Sequence, residues 1–404
     1  MGNTPKLRFE GFTDAWEQRK LGEFVTFFSG LTYSPKDIRP SGTLVLRSSN
    51  VKDGEVVDAD NVYVDPGVVN SENVQDGDII VVVRNGSRAL IGKHAEIKGF
   101  KPNTVIGAFM TGIRSEHSSF VNALLNTPRF DSEVAMNMGA TINQITGYMF
   151  SKMEFLIPDP KEQDAIGDSF RQLDRLITLH QRKSDALTKA KAFYLQNLFP
   201  QEREKEPKLR LEGYTDTWNR YTLGDLYTER NERGNETLQI LTVSIHTGVS
   251  DGALEEDELG KSVRRSEDKT LYKHVYAGDL IFNMMRAWQG AIGVAKREGM
   301  ISPAYISAIP DERVYPPFMN YLLRRKEIIS QINNLSYGVT DFRKRLYWDS
   351  FIKVKCCLPS VDEQKSITDV FEQLDILITR QEHRIKALKT MKKFMLQNMF
   401  PQEG

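Results

Sequence analysis

Apolar residues recur at alternating steps of three and four along two long stretches of the chain, one near its middle and one near its end. Spacing of this kind places residues in one stripe on one face of a helix, and a narrow stripe flanked by charges indicates a partner helix. The first stripe consists of Ile166, Phe170, Leu173, Ile177, His180, Ser184, Leu187, Lys191, Tyr194 and Leu198. The second consists of Ile367, Phe371, Leu374, Ile378, Gln381, Ile385, Leu388, Lys392, Met395 and Met399. We therefore predict two amphipathic helices that pair with each other, and we call the two stripes together the helix seam.

The length of these patterns favours pairing. Each continues for about 37 residues, or roughly 55 Å of helix at about 1.5 Å per residue. Few globular cores need so long a helix, which weighs against the alternative of two ordinary helices in separate cores. Polar side chains interrupt the seam at His180, Ser184, Lys191, Gln381 and Lys392. We expect a loose antiparallel pair rather than a continuous zipper.

The two helical stretches are copies of each other. They share EQDAIGDSFRQLD and EQKSITDVFEQLD near their starts, and LQNLFPQE and LQNMFPQE at their ends. Glu162 and Glu363 differ by 201 positions, as do Phe199 and Phe400, so neither copy has gained or lost a residue. The sequence predicts two helices of equal length.

The duplication extends beyond the helices. Matching motifs are KLRFEG and KLRLEG from Lys6 and Lys208, Gly-Asp before an apolar run at Asp78 and Asp279, and GAT and GVT at Gly139 and Gly338. By contrast, residues 29–75 show almost no resemblance to residues 230–276. Two tandem halves have kept a scaffold while the surfaces it carries have diverged, as expected of two recognition modules with different targets.

Within each half the pattern mixes strands and short helices. Buried strands are predicted after each Gly-Asp turn, and apolar runs that reach a proline precede each long helix. We predict an α+β fold in which two mixed α/β domains form a tandem pseudo-repeat, separated by two long antiparallel helices that form a coiled-coil-like spacer. The predicted segments are residues 1–157 with a leading segment 1–23, the first helix at 158–205, residues 206–358 with a leading segment 206–225, and the second helix at 359–404.

Charge and cysteine content narrow the function classes. The 54 Lys and Arg residues balance the 54 Asp and Glu residues, so the net charge does not indicate binding to nucleic acid or to a membrane. DNA binding would have to depend on local patches and on a partner that supplies more charge. The two adjacent cysteines, and an N-terminus without an apolar leader, predict a cytoplasmic protein with reduced thiols. No cysteine or histidine spacing suggests a metal site.

Two loops have compositions suited to reading bases. Arg pairs with guanine, and Asn or Gln with adenine, through two hydrogen bonds in the major groove. The loop after the first Gly-Asp strand offers Arg84, Asn85, Ser87, Arg88 and Lys93. Its counterpart in the second half offers Asn283, Arg286, Trp288 and Gln289. The alternative is a pair of solvated turns with incidental charges.

A second group of candidates lies beside the matched glycines. These are Asn143 and Gln144 in the first half, and Tyr337, Arg343 and Lys344 in the second. Glycine permits a close turn, after which such side chains begin a helix, a position that also favours phosphate. Arg47, with Ser48 and Asn50, is a weaker candidate for a backbone phosphate contact.

Catalytic chemistry finds little support. Asp78 followed by Glu96 and Lys98 resembles a magnesium-dependent nuclease constellation, but the corresponding residues Ala295 to Glu298 of the second half break the pattern. No nucleophile elbow appears. We expect no catalytic residues in this chain, which has the features of a reader of DNA.

Taken together, the tandem halves, the helix starts, the Gly-Asp strands, the GAT and GVT turns and the FPQE endings resemble the DNA-specificity subunit of type I restriction–modification systems. The resemblance covers essentially the whole chain. It implies that each mixed domain is a target-recognition domain for half of a bipartite DNA sequence, and that the helices fix the gap and dock two modification (methyltransferase) subunits. Restriction (motor-nuclease) subunits would join that assembly, and S-adenosylmethionine, ATP and magnesium would belong to these partners, with no cofactor on this chain. The alternatives are a coiled-coil scaffold without DNA specificity, and a self-sufficient nuclease or methyltransferase.

Overall fold

The computed structural model describes residues 3–99, 101–138, 143–201, 204–235, 237–246, 248–250, 271–338 and 344–401. The chain divides into two units, the first comprising residues 1–182 and 382–404 and the second residues 183–381. This division falls inside both long helices, whereas the predicted segments end where the helices begin. Each unit therefore holds part of each helix, because both helices contribute side chains to both cores.

The first unit begins with short strands and ends its first chain segment in a long helix. Its strands are β1 (Glu17–Lys20), β2 (Thr26–Ser29), β3 (Ile38–Arg39), β4 (Thr43–Leu46), β5 (Val51–Lys52), β6 (Glu55–Val56), β7 (Val62–Val64), β8 (Ile79–Val82), β9 (His94–Glu96), β10 (Thr104–Ile106), β11 (Met110–Arg114) and β12 (Glu154–Ile157). Its helices are α1 (Ser118–Leu125), α2 (Pro128–Asn137), α3 (Gly147–Lys152) and the start of α4 (Pro160–Asn197).

An antiparallel sheet in the order β2-β11-β8-β9 forms the centre of the first unit. Every residue of its inner strand β8 is buried, as the apolar sequence IIVV predicts. A second sheet, β10-β4-β7-β3, contains one parallel pair, β10 with β4. Strands β1 and β12 pair with each other just before α4 begins.

The second unit repeats this plan. Its strands are β13 (Asn219–Thr222), β14 (Tyr227–Arg230), β15 (Val243–Ser244), β16 (Gly248–Val249), β17 (Lys273–Val275), β18 (Leu280–Asn283), β19 (Ile292–Val294), β20 (Gly299–Ile301), β21 (Tyr305–Pro310) and β22 (Lys355–Leu358). Its helices are α5 (Leu223–Leu226), α6 (Pro316–Leu322), α7 (Lys326–Leu335), α8 (Trp348–Phe351) and the start of α9 (Val361–Asn398).

The sheets show which parts of the repeat have been kept. The order β14-β21-β18-β19 matches that of the first unit, and the pair β13-β22 matches β1-β12. In place of the sheet with a parallel pair, the described residues of the second unit form two short antiparallel pairs, β15-β16 and β17-β20. This is the region where the two halves of the sequence are unrelated.

The Gly-Asp motif has a structural role in both units, because its aspartate accepts several hydrogen bonds. Gly77 adopts a φ of +85°, and the buried Asp78 accepts a hydrogen bond from the backbone N–H of Gln75 at 2.7 Å. Arg114 donates two further bonds to the same carboxylate, both at 2.8 Å. In the second unit Arg230 donates to Asp279 at 2.7 and 3.1 Å. Because Asp78 is held in this way, the structure gives no support to its role in a nuclease site.

An Arg–Glu ion pair that occurs in both repeats holds the start of each long helix. Arg8 of KLRFEG donates two hydrogen bonds to Glu162 at 2.7 Å, and Glu162 is fully buried. Arg210 of KLRLEG donates to Glu363 at 3.0 and 2.8 Å. Removing one partner of a buried ion pair leaves an uncompensated charge, which is strongly destabilising. The shared motifs thus tie the leading segment of each half to the first turn of its helix.

The two long helices form an antiparallel pair, as predicted, and each contains 38 residues. Within the first unit Phe170 contacts Phe400, and Lys392 donates to Asp174 at 2.6 Å. Within the second unit Phe371 contacts Phe199, and Lys191 donates to an oxygen of its ion-pair partner Asp375 at 2.5 Å.

Every residue of the helix seam is buried or half-buried. The lysines that interrupt the seam are therefore accommodated by ion pairs inside each unit.

A cluster of aromatic rings lies at the centre of each unit. In the first unit it consists of Trp16, Phe120, Phe170 and Phe400. In the second it consists of Trp218, Phe318, Phe371 and Phe199. The ring from the FPQE motif of each repeat thus lies in the core of the unit built mainly from the other repeat.

Buried His94 makes the first unit sensitive to acid. Its Nδ1 lies 3.0 Å from the carbonyl oxygen of Gly92, and Asn126 Nδ2 lies 3.0 Å from its Nε2, a pattern that suits the neutral ring. Burial lowers the pKa of His94 from 6.5 to about 4. Since the unfolded chain binds the proton more readily, the stabilisation is complete above pH 6.5 and is lost as the pH falls towards 4, by about 3 kcal/mol.

Urea unfolding at pH 7.5 and at pH 4.5 tests this expectation against a His94→Gln variant. The wild type should lose more stability between the two pH values than the variant does, because the carboxylates that also titrate there are common to both. Equal losses in the two proteins would contradict the assignment.

Candidate nucleic-acid interface

The structure brings together the two segments of the first unit that the sequence singled out. Ile145 N–H donates to the carbonyl oxygen of Val83 at 2.9 Å, so that the backbone of Gln144 pairs with that of Arg84. Asn143 Nδ2 donates to the carbonyl oxygen of Gly86 at 3.1 Å. The loop after β8 and the segment before α3 therefore form one surface.

Asn85 organises the turn at the centre of this surface. Its side-chain oxygen accepts the N–H of Ser87 at 3.0 Å, and its Nδ2 donates to Ser48 Oγ at 3.0 Å. Arg84, Ser87, Arg88 and Lys93 are exposed around it. A rigid turn that carries exposed polar side chains is a suitable support for reading base edges.

Arg47, the weaker candidate for a phosphate contact, forms an ion pair in the structure. Its Nη2 donates to the carboxylate of Asp60 at 2.6 Å and to the backbone oxygen of the same residue at 2.7 Å. A phosphate would have to compete with that ion pair. The position of Arg47 therefore does not favour the phosphate contact that we expected.

The second unit repeats the juxtaposition with other residues. Leu346 N–H donates to the carbonyl oxygen of Met284 at 2.8 Å, the same bond as that between Ile145 and Val83. Tyr337 and Arg345 pair through their backbones, and the Tyr337 side chain is 53% exposed. Lys344 is half-buried. Arg343 lies outside the described residues.

Asn283 requires a correction. It is only 8% exposed, and its side-chain oxygen accepts the N–H of Met285 at 3.0 Å, so it shapes the turn and does not present itself to a base. Trp288 Nε1 is bound to the carbonyl oxygen of Met285 at 3.0 Å. Arg286 and Gln289 are exposed on either side of this short helical turn. Of the four predicted residues in this loop, Arg286 and Gln289 are therefore the exposed ones.

Three arginines on these surfaces have guanidinium N–H donors that are available to a ligand. Within the described residues, the guanidinium groups of Arg84, Arg88 and Arg286 make no side-chain hydrogen bond or ion pair. Exposed guanidinium groups suit the fixed geometry of guanine O6 and N7, or of a phosphate. No group of three or more His, Cys, Asp or Glu side chains suited to a metal ion occurs in the described part of the chain.

The sequence analysis missed Phe109. It is 54% exposed, and its backbone oxygen accepts the N–H groups of Val83 at 3.0 Å and Arg84 at 3.2 Å. The guanidinium carbon of Arg84 lies 5.0 Å from the centre of its ring. The one available signal was a phenylalanine in the Gly-Ala turn between two apolar runs, which is equally compatible with a core residue.

The sequence and the fold are similar to those of known proteins. Residues 13–189 match the model of the type I restriction modification DNA specificity domain. The first half of the sequence therefore resembles a type I DNA specificity domain. It is 22% identical over 173 residues to the specificity subunit of the type I restriction enzyme StySPI of Salmonella potsdam, and 24% identical to that of EcoKI of Escherichia coli K12. Each match covers 41% of this chain and 36% of the relative, so only about a third of those proteins is represented.

The fold also has a solved counterpart. The S subunit of a type I restriction–modification system from M. genitalium superposes with a TM-score of 0.66 at 14% identity, over 99% of this chain and all of that one. At this identity the similarity shows the fold alone. It agrees with the predicted tandem α+β domains and long helices. No helix in the described ranges combines the length and apolar content needed to cross a bilayer.

Proposed function

We propose that this chain is the sequence-reading subunit of a type I restriction–modification complex, in which each unit recognises one half of a bipartite DNA target. The observation that carries the proposal is the repeated surface. In both units the same backbone hydrogen bond joins the loop after the Gly-Asp strand to the segment before a later short helix, which is α3 in the first unit and α8 in the second. The side chains presented there differ, with Arg84 and Arg88 in one unit and Arg286 and Gln289 in the other. A common support with different side chains is what two different half-sites require.

Other subunits supply the chemistry in this proposal. Two modification subunits transfer the methyl group and restriction subunits translocate and cut DNA, so S-adenosylmethionine, ATP and magnesium bind to them and this chain acts without a cofactor. The bonding of Asp78 to Arg114 supports a non-catalytic role, because it occupies the carboxylate of the nuclease-like constellation. The complex works where the DNA is, in the cytoplasm.

Exposed apolar side chains on the long helices support docking of the modification subunits. Leu176 is 44% exposed and Leu377 is 37% exposed, at positions that differ by the repeat offset of 201. Phe193 is 56% exposed and Phe394 is 55% exposed, at the same offset. Large apolar side chains exposed at matched positions are typical of a surface that a partner covers. Their duplication supports one modification subunit for each unit.

Methylation mapping tests the proposed function. The chain is co-expressed with its modification subunit in a host without other adenine methylation, and methylated adenines are mapped across the genome. We expect one bipartite motif with a fixed gap. Methylation without sequence preference, or a gel shift on randomised DNA that selects no motif, would instead support the scaffold alternative.

The spacer role of the helices gives a separate prediction. Deleting seven residues at matched positions in both α4 and α9 removes about 10 Å of helix, equivalent to about three base pairs. Seven residues make nearly two whole turns, so the helix seam keeps its face. The mapped motif should keep both half-sequences and lose about three base pairs from its gap. An unchanged gap in an active complex would show that the helices do not set it.

A further inference from the structure

Phe109 is an exposed aromatic residue next to the loop after β8, and hydrogen bonds hold its backbone and those of its neighbours. Phe109 accepts hydrogen bonds from Val83 and Arg84, while the neighbouring Ala108 N–H donates to Leu31 at 2.9 Å and Met110 N–H donates to Gly107 at 2.8 Å. The ring is nevertheless 54% exposed. A large apolar ring held at the surface by backbone bonds on both sides costs solvation free energy, which points to a contact made by that ring.

The residue that the ring contacts is Arg84. The guanidinium carbon lies 5.0 Å from the ring centre, within the range of a cation–π interaction. Reading a guanine through O6 and N7 requires the guanidinium plane to align with the base. A free arginine side chain loses rotamer entropy when it is aligned in this way. A ring that already limits the orientations of the guanidinium group reduces that loss.

The second unit lacks this pair. Met285 occupies the position that matches Arg84 at the offset of 201. Met284 N–H donates to the carbonyl oxygen of Ala304 at 3.3 Å, as Val83 N–H donates to Phe109, so that Ala304 takes the place of the aromatic ring. Any effect of the pair must therefore be confined to the half-site of the first unit.

We propose that Phe109 is a positioning residue that preorganises Arg84 to read a guanine in the half-site bound by the first unit. The inference rests on the proposed function, since it requires DNA readout by this surface. Phe109 does not need to touch the base, and its role is to fix the plane in which Arg84 presents its donors. This assigns a specificity-determining contact to one unit and to one base pair.

The test uses the complex of the full chain with its modification subunit, and duplexes that carry the mapped site with each guanine replaced singly by 7-deazaguanine, which lacks N7. For the wild type, one replacement in the first unit's half-site should weaken binding about tenfold. Phe109→Ala should bind the unmodified site about tenfold more weakly and lose sensitivity to that replacement. Adding Arg84→Ala to Phe109→Ala should change little further.

Two substitutions separate the ring face from apolar bulk. Phe109→Tyr keeps the face and should restore both affinity and sensitivity, whereas Phe109→Leu should behave as Phe109→Ala. Met136→Ala removes a residue that is 66% exposed on α2 of the same unit and should have no effect. The half-site of the second unit should keep its own sensitivities in every variant.

The outcomes are distinguishable. The positioning role is overturned if Phe109→Leu binds DNA as tightly as the wild type. It is also overturned if 7-deazaguanine weakens binding by Phe109→Ala as much as it weakens binding by the wild type. Sequence-specific binding remains in both cases. A wild-type complex without any sequence preference overturns the proposed function itself, and this inference with it.

Discussion

Replacing Phe400 with Ala should destabilise the first unit by about 3–5 kcal/mol, although Phe400 belongs to the second sequence repeat. The ring is 4% exposed and lies 6.0 Å from Trp16, 5.8 Å from Phe120 and 6.0 Å from Phe170 between ring centres. Its removal leaves a cavity among aromatic side chains that belong to the first half of the sequence. The loss should therefore appear there.

Hydrogen exchange resolved by peptide measures where stability is lost. Phe400→Ala should accelerate exchange in residues 79–157, and the matched Phe199→Ala should accelerate it in residues 280–358. Phe394→Ala is the control, because Phe394 is 55% exposed and precedes the buried Phe400 by six residues. The opposite result is faster hydrogen exchange in the unit built mainly from each variant's own sequence repeat. That result would contradict the assignment of each FPQE ring to the core of the opposite repeat.

The packing of each FPQE ring in the core of the opposite repeat could not be predicted from hydrophobic periodicity. A stripe at helical spacing identifies a helix and its buried face, and here it correctly predicted two paired helices of equal length. It does not specify which core the end of a helix completes. The repeat offset divides the sequence into two tandem halves, yet Phe199 of the first half packs with Trp218 and Phe318 in the second unit. Long-range packing decided this point, and no local signal in the sequence records it.

The candidate surfaces show the same limit at the level of side chains. Turn chemistry located the loops around Arg84 and Arg286, because Gly, Asn and Ser favour turns for local reasons. The burial of Asn283 and the ion pair of Arg47 with Asp60 arise from the folded arrangement of the chain, and composition alone did not separate these residues from exposed readers. Phe109 was missed for the same reason, since only the fold shows that its ring faces solvent.

Substituting Asp for Phe394 or for Phe193 should remove one modification subunit each from the assembled complex. Both rings are more than half exposed on the long helices, Phe394 in the first unit and Phe193 in the second. If a partner covers such a ring, an aspartate there loses the apolar contact and buries an unpaired charge. Loss of a hot-spot aromatic costs about 2–4 kcal/mol, equivalent to roughly 30- to 1000-fold in affinity.

Native mass spectrometry of the co-expressed complex reports the stoichiometry directly. The wild type should carry two modification subunits, each single variant one, and the double variant none. Lys189→Asp, at an exposed position on α4, makes the charge more negative by two units, against one unit for Phe→Asp, and should nevertheless keep both subunits. Because the two rings are related by the repeat, equal losses from the two single variants are part of the expectation. Retention of both subunits by the double variant would show that docking uses another surface, while leaving DNA reading by the two units untouched.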